Sequence, residues 1–434
     1  MGNKANKELS DYQKAKKIKG EIIIPPDKSI SHRSAMFALL TGGVMEVHNY
    51  SAGADCRSSL DMIQRLGAKV EFKTGNDIII DSSEAFKYVD GAISLDCGNS
   101  GTSMRLFSGL LAPKIGKFEL FGDKSLSKRP MKRIIEPLQS MGAIIEHTDY
   151  KAPLKITGNE LSAINYTSKI ASAQVKSCIL LAGLGTDGIT SVEEPYISRD
   201  HTERMLKYLG ADISCEGTRT SVSKSYLEPK NITVCGDISS AAFFLAAGAI
   251  LPDSEITIKN TGLNPTRTGI LEVMEKMGAD FEILDKRVEC GEEVGDIRVK
   301  TSPLSGTTIE GAIIPRLIDE IPIIAVMATQ AQGTTVIKDA ADLRNKEADR
   351  ITCLVGELRK LGAEIEETPD GMVIHGGKNL SGGAQVECFH DHRLAMSLYV
   401  AGMVCEKPVK INEFQWVDVS FPEFLPLMGE VASF

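Results

Sequence analysis

Two cations and two hydroxyls lie within six residues near the start of the chain: Lys28, Ser29, Ser31 and Arg33. An apolar run precedes this group and a helix-like apolar run follows it, so we expect a strand, a polar turn and a helix in that order. The first turn of a helix leaves backbone N–H groups unpaired, and the helix dipole favours an anion there. These residue types predict a phosphate site, although a serine-capped helix start with solvated basic residues would give the same pattern.

Other cations also lie in or near polar turns of this kind. They are Arg105, Arg129, Lys176, Arg199, Arg344, Lys346, Arg350 and Arg393. The chain as a whole is acidic, with a formal net charge of −9, so we do not expect nonspecific binding to nucleic acid or to an anionic membrane. The sequence instead predicts a local cluster of cations that binds substrates with several negative charges.

Two acidic positions stand among these cations. Asp319 precedes an apolar helix-like run, and Glu347 lies within the run from Arg344 to Arg350. A carboxylate held among cations stays ionised and can act as a base, or as an acid if its proton comes from the substrate. Two structural explanations remain open: Asp319 as a helix N-cap, and Glu347 as a solvated partner of Arg350 at three-residue spacing.

Histidines 390 and 392 flank Asp391, but the spacing indicates no third metal ligand, and we expect no metal site. We expect His392 and Arg393 to contact a phosphate or carboxylate, with Asp391 orienting them. The region from Gly91 to Gly101 lacks the lysine and spacing of a nucleotide P-loop. Nucleotide binding is therefore not expected, and neither a nucleophilic cysteine nor a Ser-His-Asp set is indicated.

The elements that must position these residues repeat along the chain. Leu or Met, then Gly, then usually Ala, recurs at Leu66-Gly67-Ala68, Met141-Gly142-Ala143, Leu209-Gly210-Ala211, Met277-Gly278-Ala279, Leu361-Gly362-Ala363 and Met428-Gly429-Glu430. Each glycine is expected to end a helix in the left-handed conformation. Each repeat also contains a polar turn that opens a second, more apolar helix, which predicts a β-α-β-α-β unit.

Six such units predict an α/β protein of two similar domains, each with three units and buried parallel helices in an inverted α/β barrel-like arrangement. The first domain is predicted to span residues 27–236. The second is predicted to comprise residues 1–26 and 237–434, so that the chain crosses twice between the domains. The N-termini of the buried helices would then face one active site between the domains.

The nine cysteines are an odd number without a Cys-x-x-Cys pair, which is typical of free thiols in a reducing compartment. The lysine-rich start resembles no signal peptide, and the longest apolar run is too short to span a bilayer. We therefore expect a cytoplasmic protein without a membrane partner.

Several longer motifs occur in a specific order. They are Asp27 to Arg33, Gly98 to Arg105, Leu126 to Met131, Ser172 to Ser177, Ser198 to Thr202, Arg344 to Arg350 and His390 to Arg393. With these motifs the chain resembles the EPSP synthase (3-phosphoshikimate 1-carboxyvinyltransferase) family of enolpyruvyl transferases over nearly all of residues 20–430. The resemblance implies transfer of the carboxyvinyl group of phosphoenolpyruvate to shikimate 3-phosphate, without metal or organic cofactor, by a protein that we expect to be a monomer.

The resemblance also implies roles for individual residues. Asp319 would be the base for the attacking 5-hydroxyl, Glu347 the proton donor to the methylene carbon, and Lys28 the group that stabilises or protonates the leaving phosphate. The residues implied to bind shikimate 3-phosphate are Lys28, Ser29, Arg33, Ser172, Ala173, Gln174, Ser198, Arg199, Asp319 and Lys346. Those implied to bind phosphoenolpyruvate are Lys28, Asn99, Gly101, Arg129, Gln174, Glu347, Arg350, His392 and Arg393. Val419 departs from the family, because many members have a lysine there that contacts phosphoenolpyruvate.

Two alternatives remain. The UDP-N-acetylglucosamine carboxyvinyltransferases resemble the same fold and chemistry, but their reactive loop cysteine corresponds to Lys124 here. A non-catalytic binder of phosphorylated metabolites would have no need for Lys28, Asp319 and Glu347, and all three are present.

Overall fold

The computed structural model describes residues 14–87 and 91–434. These residues form two compact units, which we name by their position in the chain. The N unit comprises Pro26–Cys235 and Val288–Glu293, and the C unit comprises residues 14–25, Gly236–Arg287 and Val294–Phe434. Residues 1–13 of the predicted second domain lie outside the described residues.

Short strands with polar turns make up much of both units. The strands are β1 Lys17–Ile23, β2 Val44–His48, β3 Lys69–Phe72, β4 Ile78–Asp81, β5 Ala92–Asp96, β6 Lys117–Phe121, β7 Ile144–Thr148, β8 Lys151–Thr157, β9 Asn165–Thr167, β10 Ile189–Glu193, β11 Ile213–Glu216, β12 Arg219–Ser223, β13 Ile232–Thr233, β14 Glu255–Gly262, β15 Asp280–Glu289, β16 Glu292–Lys300, β17 Thr308–Ile309, β18 Thr334–Ile337, β19 Glu364–Thr368, β20 Gly371–His375, β21 Gln385–Glu387, β22 Lys410–Asn412 and β23 Ala432–Ser433.

Helices alternate with these strands along the chain. They are α1 Lys28–Thr41, α2 Ala54–Arg65, α3 Gly101–Leu111, α4 Lys132–Ser140, α5 Ala173–Gly183, α6 His201–Tyr208, α7 Ile238–Ile250, α8 Gly269–Lys276, α9 Ile314–Leu317, α10 Ile321–Gln330, α11 Arg350–Lys360, α12 His392–Val404 and α13 Phe424–Val431. The predicted α/β class is confirmed.

Each repeat builds its own sheet, and the sheets share one pattern. Within the described residues the N unit has the strand orders β13-β2-β4-β3, β5-β6-β8-β7 and β9-β10-β12-β11, and the C unit has β23-β1-β14-β16-β15, β17-β18-β20-β19 and β21-β22. Every sheet contains one parallel pair, such as β5 with β6 or β1 with β14. Two strands join sheets that other parts of the chain form: β1 pairs with β14, and β13 pairs with β2.

Each unit contains three helices that are buried on nearly all sides: α1, α3 and α5 in the N unit, and α7, α10 and α12 in the C unit. Within each unit these helices pack against one another. The approach of α3 to α5 is so close that a Cβ at Gly109 would lie 2.0 Å from the carbonyl oxygen of Cys178. The polar turns before these helices carry most of the candidate site residues.

The repeated glycines behave as predicted at five of the six positions. Their φ angles lie between 84° and 99° at Gly67, Gly142, Gly210, Gly278 and Gly362, in the left-handed region that glycine adopts at low cost. The prediction is wrong at Gly429, which lies inside α13. There the helix continues to Val431 and β23 follows directly to pair with β1, so no left-handed turn is needed.

None of the nine cysteines, which all lie in the described part of the chain, forms a disulfide bond, and six of them are buried. Burial raises the pKa of the Cys56 thiol to about 12, which disfavours the reactive thiolate. Across the described residues, none of the helices is both long enough and apolar enough to cross a membrane.

Candidate active site

Helix α1 begins with a cation at its capped N-terminus. The carboxylate of Asp27 accepts a hydrogen bond of 2.9 Å from the backbone N–H of Ile30, which satisfies one donor of the first turn. The ammonium group of Lys28 lies 2.5 Å from Oδ2 of Asp55, in the first turn of α2. The Lys28 side chain stays 37% exposed, so it can still meet a bound anion.

The second half of the same motif is buried. Arg33 donates from Nε to Oγ1 of Thr202 (2.7 Å), from Nη2 to Oγ of Ser177 (3.0 Å) and from Nη1 to the backbone oxygen of Ser29 (3.0 Å). Burial lowers the pKa of Arg33 to about 10, which still leaves it charged near neutral pH. Arg33 therefore joins α1 to α5 and α6, and its predicted contact with substrate stays a prediction.

A buried histidine in this motif carries no charge. Burial lowers the pKa of His32 to about 3. Its Nδ1 lies 2.8 Å from Oγ of Ser59, which lies 3.0 Å from Oγ of Ser103. Ser103 in turn donates to Ser100, the N-cap of α3, at 2.9 Å. This line of hydroxyls connects α1, α2 and α3 at their polar ends.

Two guanidinium groups converge on the first residue of α3. A Cβ at Gly101 would lie 2.7 Å from Nη1 of Arg105 and 3.3 Å from Nη1 of Arg129. Arg129 also donates from Nη2 to Oδ1 of Asn99 at 3.0 Å, and Asn99 donates to Asp123 at 2.6 Å. The cations and the helix dipole act at the same place, which suits an anion.

Gln174 links the first turns of α5 and α3. Its Oε1 accepts a hydrogen bond of 2.6 Å from Nη1 of Arg105, and its Nε2 donates to Oγ1 of Thr102 at 2.9 Å. Three residues that the sequence assigned to the site, Asn99, Gly101 and Gln174, therefore lie around the same pair of arginines.

The N-terminus of α5 is held by a buried acid. Ser172 precedes α5, and its side chain makes no cap hydrogen bond. Its backbone N–H instead donates to Oε1 of Glu194 at 2.7 Å, and the hydroxyl of Ser198 donates to Oε2 of the same carboxylate at 2.8 Å. Glu194 thus brings together two segments that the sequence predicted as one binding group.

One buried arginine organises the acids of the C unit. Arg350 donates from Nη1 to Asp319 (3.2 Å), from Nη2 to Glu347 (2.7 Å) and from Nε to Asp391 (2.7 Å). Lys346 reaches the same oxygen of Asp319 at 3.3 Å. The predicted pair of Glu347 with Arg350 is present, but it belongs to a larger cluster and not to a solvated helix surface.

The charge of Arg350 is strongly favoured although its side chain is only 1% exposed. Burial alone lowers the pKa of Arg350, but the negative charges of Asp391, Glu347 and Asp319 outweigh that effect and raise it above its ordinary value. Since four of its five N–H groups are used in these contacts, its predicted binding of phosphoenolpyruvate stays a prediction.

Asp391 also fixes the start of α12. Its Oδ1 accepts hydrogen bonds from the backbone N–H groups of Arg393 (2.8 Å) and Leu394 (3.3 Å). The guanidinium of Arg393 donates to the backbone oxygen of Asp319 at 3.2 Å. Asp319 itself is not a helix N-cap, because Glu320 occupies that position before α10 without a side-chain cap.

The predicted site residues are divided between the two units. The N-unit group comprises Lys28, Ser29, Arg33, Asn99, Gly101, Arg129, Ser172, Ala173, Gln174, Ser198 and Arg199, and the C-unit group comprises Asp319, Lys346, Glu347, Arg350, His392 and Arg393. Sequence reasoning did not name as site residues some of the side chains that contact these residues, among them Asp55, Thr102, Asp123 and Glu194. It named Arg105 only as a cation near a polar turn. Asp55 had a usable signal, because it is an acidic residue in the first turn of a helix.

The histidines near Asp391 have separate surroundings. His390 is exposed, lies 2.8 Å from Oε2 of Glu413 through Nε2, and its ring centroid lies 4.8 Å from that of Trp416. His392 is the buried first residue of α12. These positions offer no shared metal ligand set with a third residue among the described residues.

One group elsewhere in the N unit has metal-ligand chemistry: Glu46, His48 and Asp77, whose candidate ligand atoms lie within 4.8 Å of one another. The three residues are half-buried, and His48 Nδ1 already lies 2.9 Å from Oδ2 of Asp77. A hydrogen bond between a histidine and an aspartate explains this group without an ion.

We expect this hydrogen bond to set the titration of His48. The bond to Asp77 raises the pKa of His48 above its ordinary 6.5, against the opposing effect of burial. Because the folded-state pKa is raised, the stability from this pair is fully present below pH 6.5 and is lost as pH rises through the folded-state pKa. NMR titration of the His48 ring should give a midpoint above 6.5, and Asp77→Asn should lower it. An equal midpoint in both proteins would contradict this assignment.

Comparison with known proteins decides the family. The profile described as EPSP synthase (3-phosphoshikimate 1-carboxyvinyltransferase) matches residues 12–428. The chain belongs to the EPSP synthase family. It is 49% identical over 423 residues to the 3-phosphoshikimate 1-carboxyvinyltransferase of Bacillus velezensis, covering 97% of this chain and 99% of the relative.

Solved structures agree with this membership. The EPSP synthase of Acinetobacter baumannii is 40% identical, with a TM-score of 0.88 and coverage of 98% of both chains. The enolpyruvyl transferase NikO of Streptomyces tendae shares the fold at 16% identity, with a TM-score of 0.77 and coverage of 98% of this chain and 97% of that protein. The resemblance to the EPSP synthase family is confirmed, and the UDP-N-acetylglucosamine carboxyvinyltransferase alternative is not favoured.

Proposed function

We propose that this chain transfers the carboxyvinyl group of phosphoenolpyruvate to the 5-hydroxyl of shikimate 3-phosphate, a step of aromatic amino acid biosynthesis. The products are 5-O-(1-carboxyvinyl)-3-phosphoshikimate and inorganic phosphate. The observation that carries the proposal is the cluster in which Arg350 holds Asp319 and Glu347 together. Addition to a phosphorylated vinyl carboxylate requires a base, an acid and nearby cations, and this cluster supplies all three.

In this proposal the N unit binds shikimate 3-phosphate at the N-terminus of α5. The side chain of Ser172 does not cap the helix, so the first-turn N–H groups at Ala173 and Gln174 can receive an anion. The hydroxyl of Ser198 has one hydrogen, and Glu194 already accepts it. We therefore assign the main charged contact with the phosphate to Arg199, and we assign Ser198 the role of fixing the loop.

Phosphoenolpyruvate is assigned to the cations at the starts of α1 and α3. Arg129 lies beside Gly101, and the side chain of Lys28 is 37% exposed. Backbone N–H groups and guanidinium groups are preorganised donors for phosphate and carboxylate oxygens. In the C unit the assigned contacts are Arg393, which Asp391 holds at the start of α12, and His392.

The acid–base steps conserve all protons. The 5-hydroxyl oxygen bonds to the central carbon of phosphoenolpyruvate as Asp319 takes the hydroxyl proton. Glu347, which must take up a proton when the substrates bind, donates it to the methylene carbon. In the second half, Glu347 takes a proton back from the methyl group, the vinyl bond re-forms and the carbon–oxygen bond to phosphate breaks. Asp319 passes the hydroxyl proton to the departing phosphate, either directly or through Lys28, so that hydrogen phosphate leaves and all three side chains return to their starting protonation states.

Phosphate release tests the proposal directly. The protein is incubated with phosphoenolpyruvate and either shikimate 3-phosphate or UDP-N-acetylglucosamine, with a chelator present because no cofactor is expected. We expect release only with shikimate 3-phosphate. Release only with the sugar nucleotide would overturn the assignment, and tight binding of both substrates without release would establish a non-catalytic binder.

The glycine that begins α3 allows a prediction about phosphoenolpyruvate. In Gly101→Ala the added methyl group would displace the ends of Arg105 and Arg129, which can move because both side chains are flexible. We expect KM for phosphoenolpyruvate to rise by roughly tenfold, a loss of about 1.4 kcal/mol of binding, with KM for shikimate 3-phosphate nearly unchanged. Steady-state kinetics with each substrate varied in turn measures both values.

Gly356→Ala is the matched control, because this helical glycine in α11 has no neighbouring atom within 4 Å of the added methyl group. It should leave both KM values unchanged. Equal KM values for phosphoenolpyruvate in the two variants would remove Gly101 from the binding site. That the protein is a monomer and that it is cytoplasmic are both still predictions.

A further inference from the structure

A buried ionic network lies beneath the two segments assigned to shikimate 3-phosphate. Lys176 on α5 lies 3.0 Å from Oε2 of Glu194 and 2.7 Å from Oε1 of Glu203, and it also lies 3.4 Å from the backbone oxygen of Ser198. The three charged side chains are between 2% and 4% exposed. Removing such charges from water costs free energy, which their mutual attraction offsets only when the pairing geometry and the remaining hydrogen bonds are good.

The two carboxylate oxygens of Glu194 accept hydrogen bonds from different segments, one containing Ser172 and the other Ser198. Oε1 accepts from the backbone N–H of Ser172 at 2.7 Å, and Oε2 accepts from the hydroxyl and the backbone N–H of Ser198 at 2.8 Å and 3.5 Å. One carboxylate therefore sets the distance between the start of α5 and the loop that precedes α6. A neutral side chain of the same size has one acceptor oxygen and cannot hold both segments in this way.

Lys176 forms an ion pair with this carboxylate in the interior. Burial lowers the pKa of Lys176, but the charges of Glu203 and Glu194 more than compensate, so that the lysine stays charged. Lys176 lies one helical turn after Ser172, and its backbone N–H donates to the oxygen of Ser172 at 3.0 Å. Lys176 and the residue that precedes α5, Ser172, are thus held in a fixed relation by the same helix.

We propose that Glu194, held by Lys176, is a positioning residue that fixes Ser172 and Ser198 for binding of shikimate 3-phosphate. The proposal rests on the proposed function, because it takes these two segments as the shikimate 3-phosphate site. Glu194 does not contact the substrate in this proposal. Its effect is therefore specific to one substrate and separate from the acid–base cluster of the C unit.

Glu194→Gln tests the proposal, and Glu203→Gln is its matched control. Glu203 also lies buried against Lys176, but no hydrogen bond joins it to Ser172 or Ser198 among the described residues. We expect Glu194→Gln to raise KM for shikimate 3-phosphate by about tenfold, with KM for phosphoenolpyruvate within about twofold of wild type. Both KM values should stay near wild type in Glu203→Gln. Calorimetric titration with shikimate 3-phosphate alone should show the same ratio of affinities.

Glu194→Asp provides a milder test, because it keeps the ion pair with Lys176 but shortens the reach to the two segments. It should raise KM for shikimate 3-phosphate less than Glu194→Gln and should preserve KM for phosphoenolpyruvate. Unchanged KM for shikimate 3-phosphate in a folded Glu194 variant, or equal changes for both substrates, would overturn the positioning role. Failure of wild type to release phosphate would instead overturn the proposed function, so the two failures are distinguishable.

Discussion

Glu347→Gln is expected to lower kcat by about 10³-fold while KM for each substrate stays within about threefold. Glutamine keeps the size of the side chain and can still accept the hydrogen bond that Arg350 donates at 2.7 Å. It cannot deliver a proton to the methylene carbon of phosphoenolpyruvate. The substitution therefore removes stabilisation of the transition state and lowers kcat. Steady-state measurement of phosphate release gives kcat.

Glu366→Gln makes the same chemical change on β19, where the carboxylate is largely exposed, and should leave kcat unchanged. Thermal denaturation should show that Glu347→Gln remains folded, since Arg350 retains Asp319 and Asp391. A folded Glu347→Gln protein with wild-type kcat would exclude Glu347 as the proton donor.

Asp319→Asn is expected to reduce kcat by roughly 10² to 10³-fold, because a neutral amide cannot take the proton of the attacking hydroxyl. The amide oxygen can still accept from Lys346 and Arg350, which lie 3.3 and 3.2 Å from Oδ1 of the native carboxylate. Both cations should therefore stay near their native positions. Single-turnover kinetics, which separates chemistry from product release, is the appropriate measurement.

Asp187→Asn serves as a comparison on an exposed loop of the N unit and should have wild-type kinetics. One other outcome for Asp319→Asn would revise the role of Asp319. If Asp319→Asn raised KM for phosphoenolpyruvate by tenfold and left kcat unchanged, Asp319 would orient Lys346 and Arg350 and would not act as the base.

Local sequence patterns predicted the repeated elements because their causes are local. The spacing of apolar residues predicted the buried helices. A glycine after the last residue of a helix predicted the left-handed turns at positions such as Gly67 and Gly362. The failure at Gly429 has a tertiary cause, since pairing of β23 with β1 lets α13 continue.

The site motif near Lys28 shows what a pattern leaves undecided. Sequence reasoning treated Lys28 and Arg33 as two cations of one anion site. Packing leaves Lys28 exposed beside Asp55 but buries Arg33 against Thr202, which is 169 residues away in sequence. The same motif thus contains one exposed cation and one that joins three helices.

The sequence by itself determined the repeated α/β elements, the cation-rich turns before buried helices and the resemblance to the EPSP synthase family. Only the tertiary structure decided which acids the cations meet on distant elements, as for Arg350 with Asp391 and for Lys176 with Glu194. Helix and turn propensities act over a few residues, whereas these ion pairs join residues on separate elements and depend on how those elements pack.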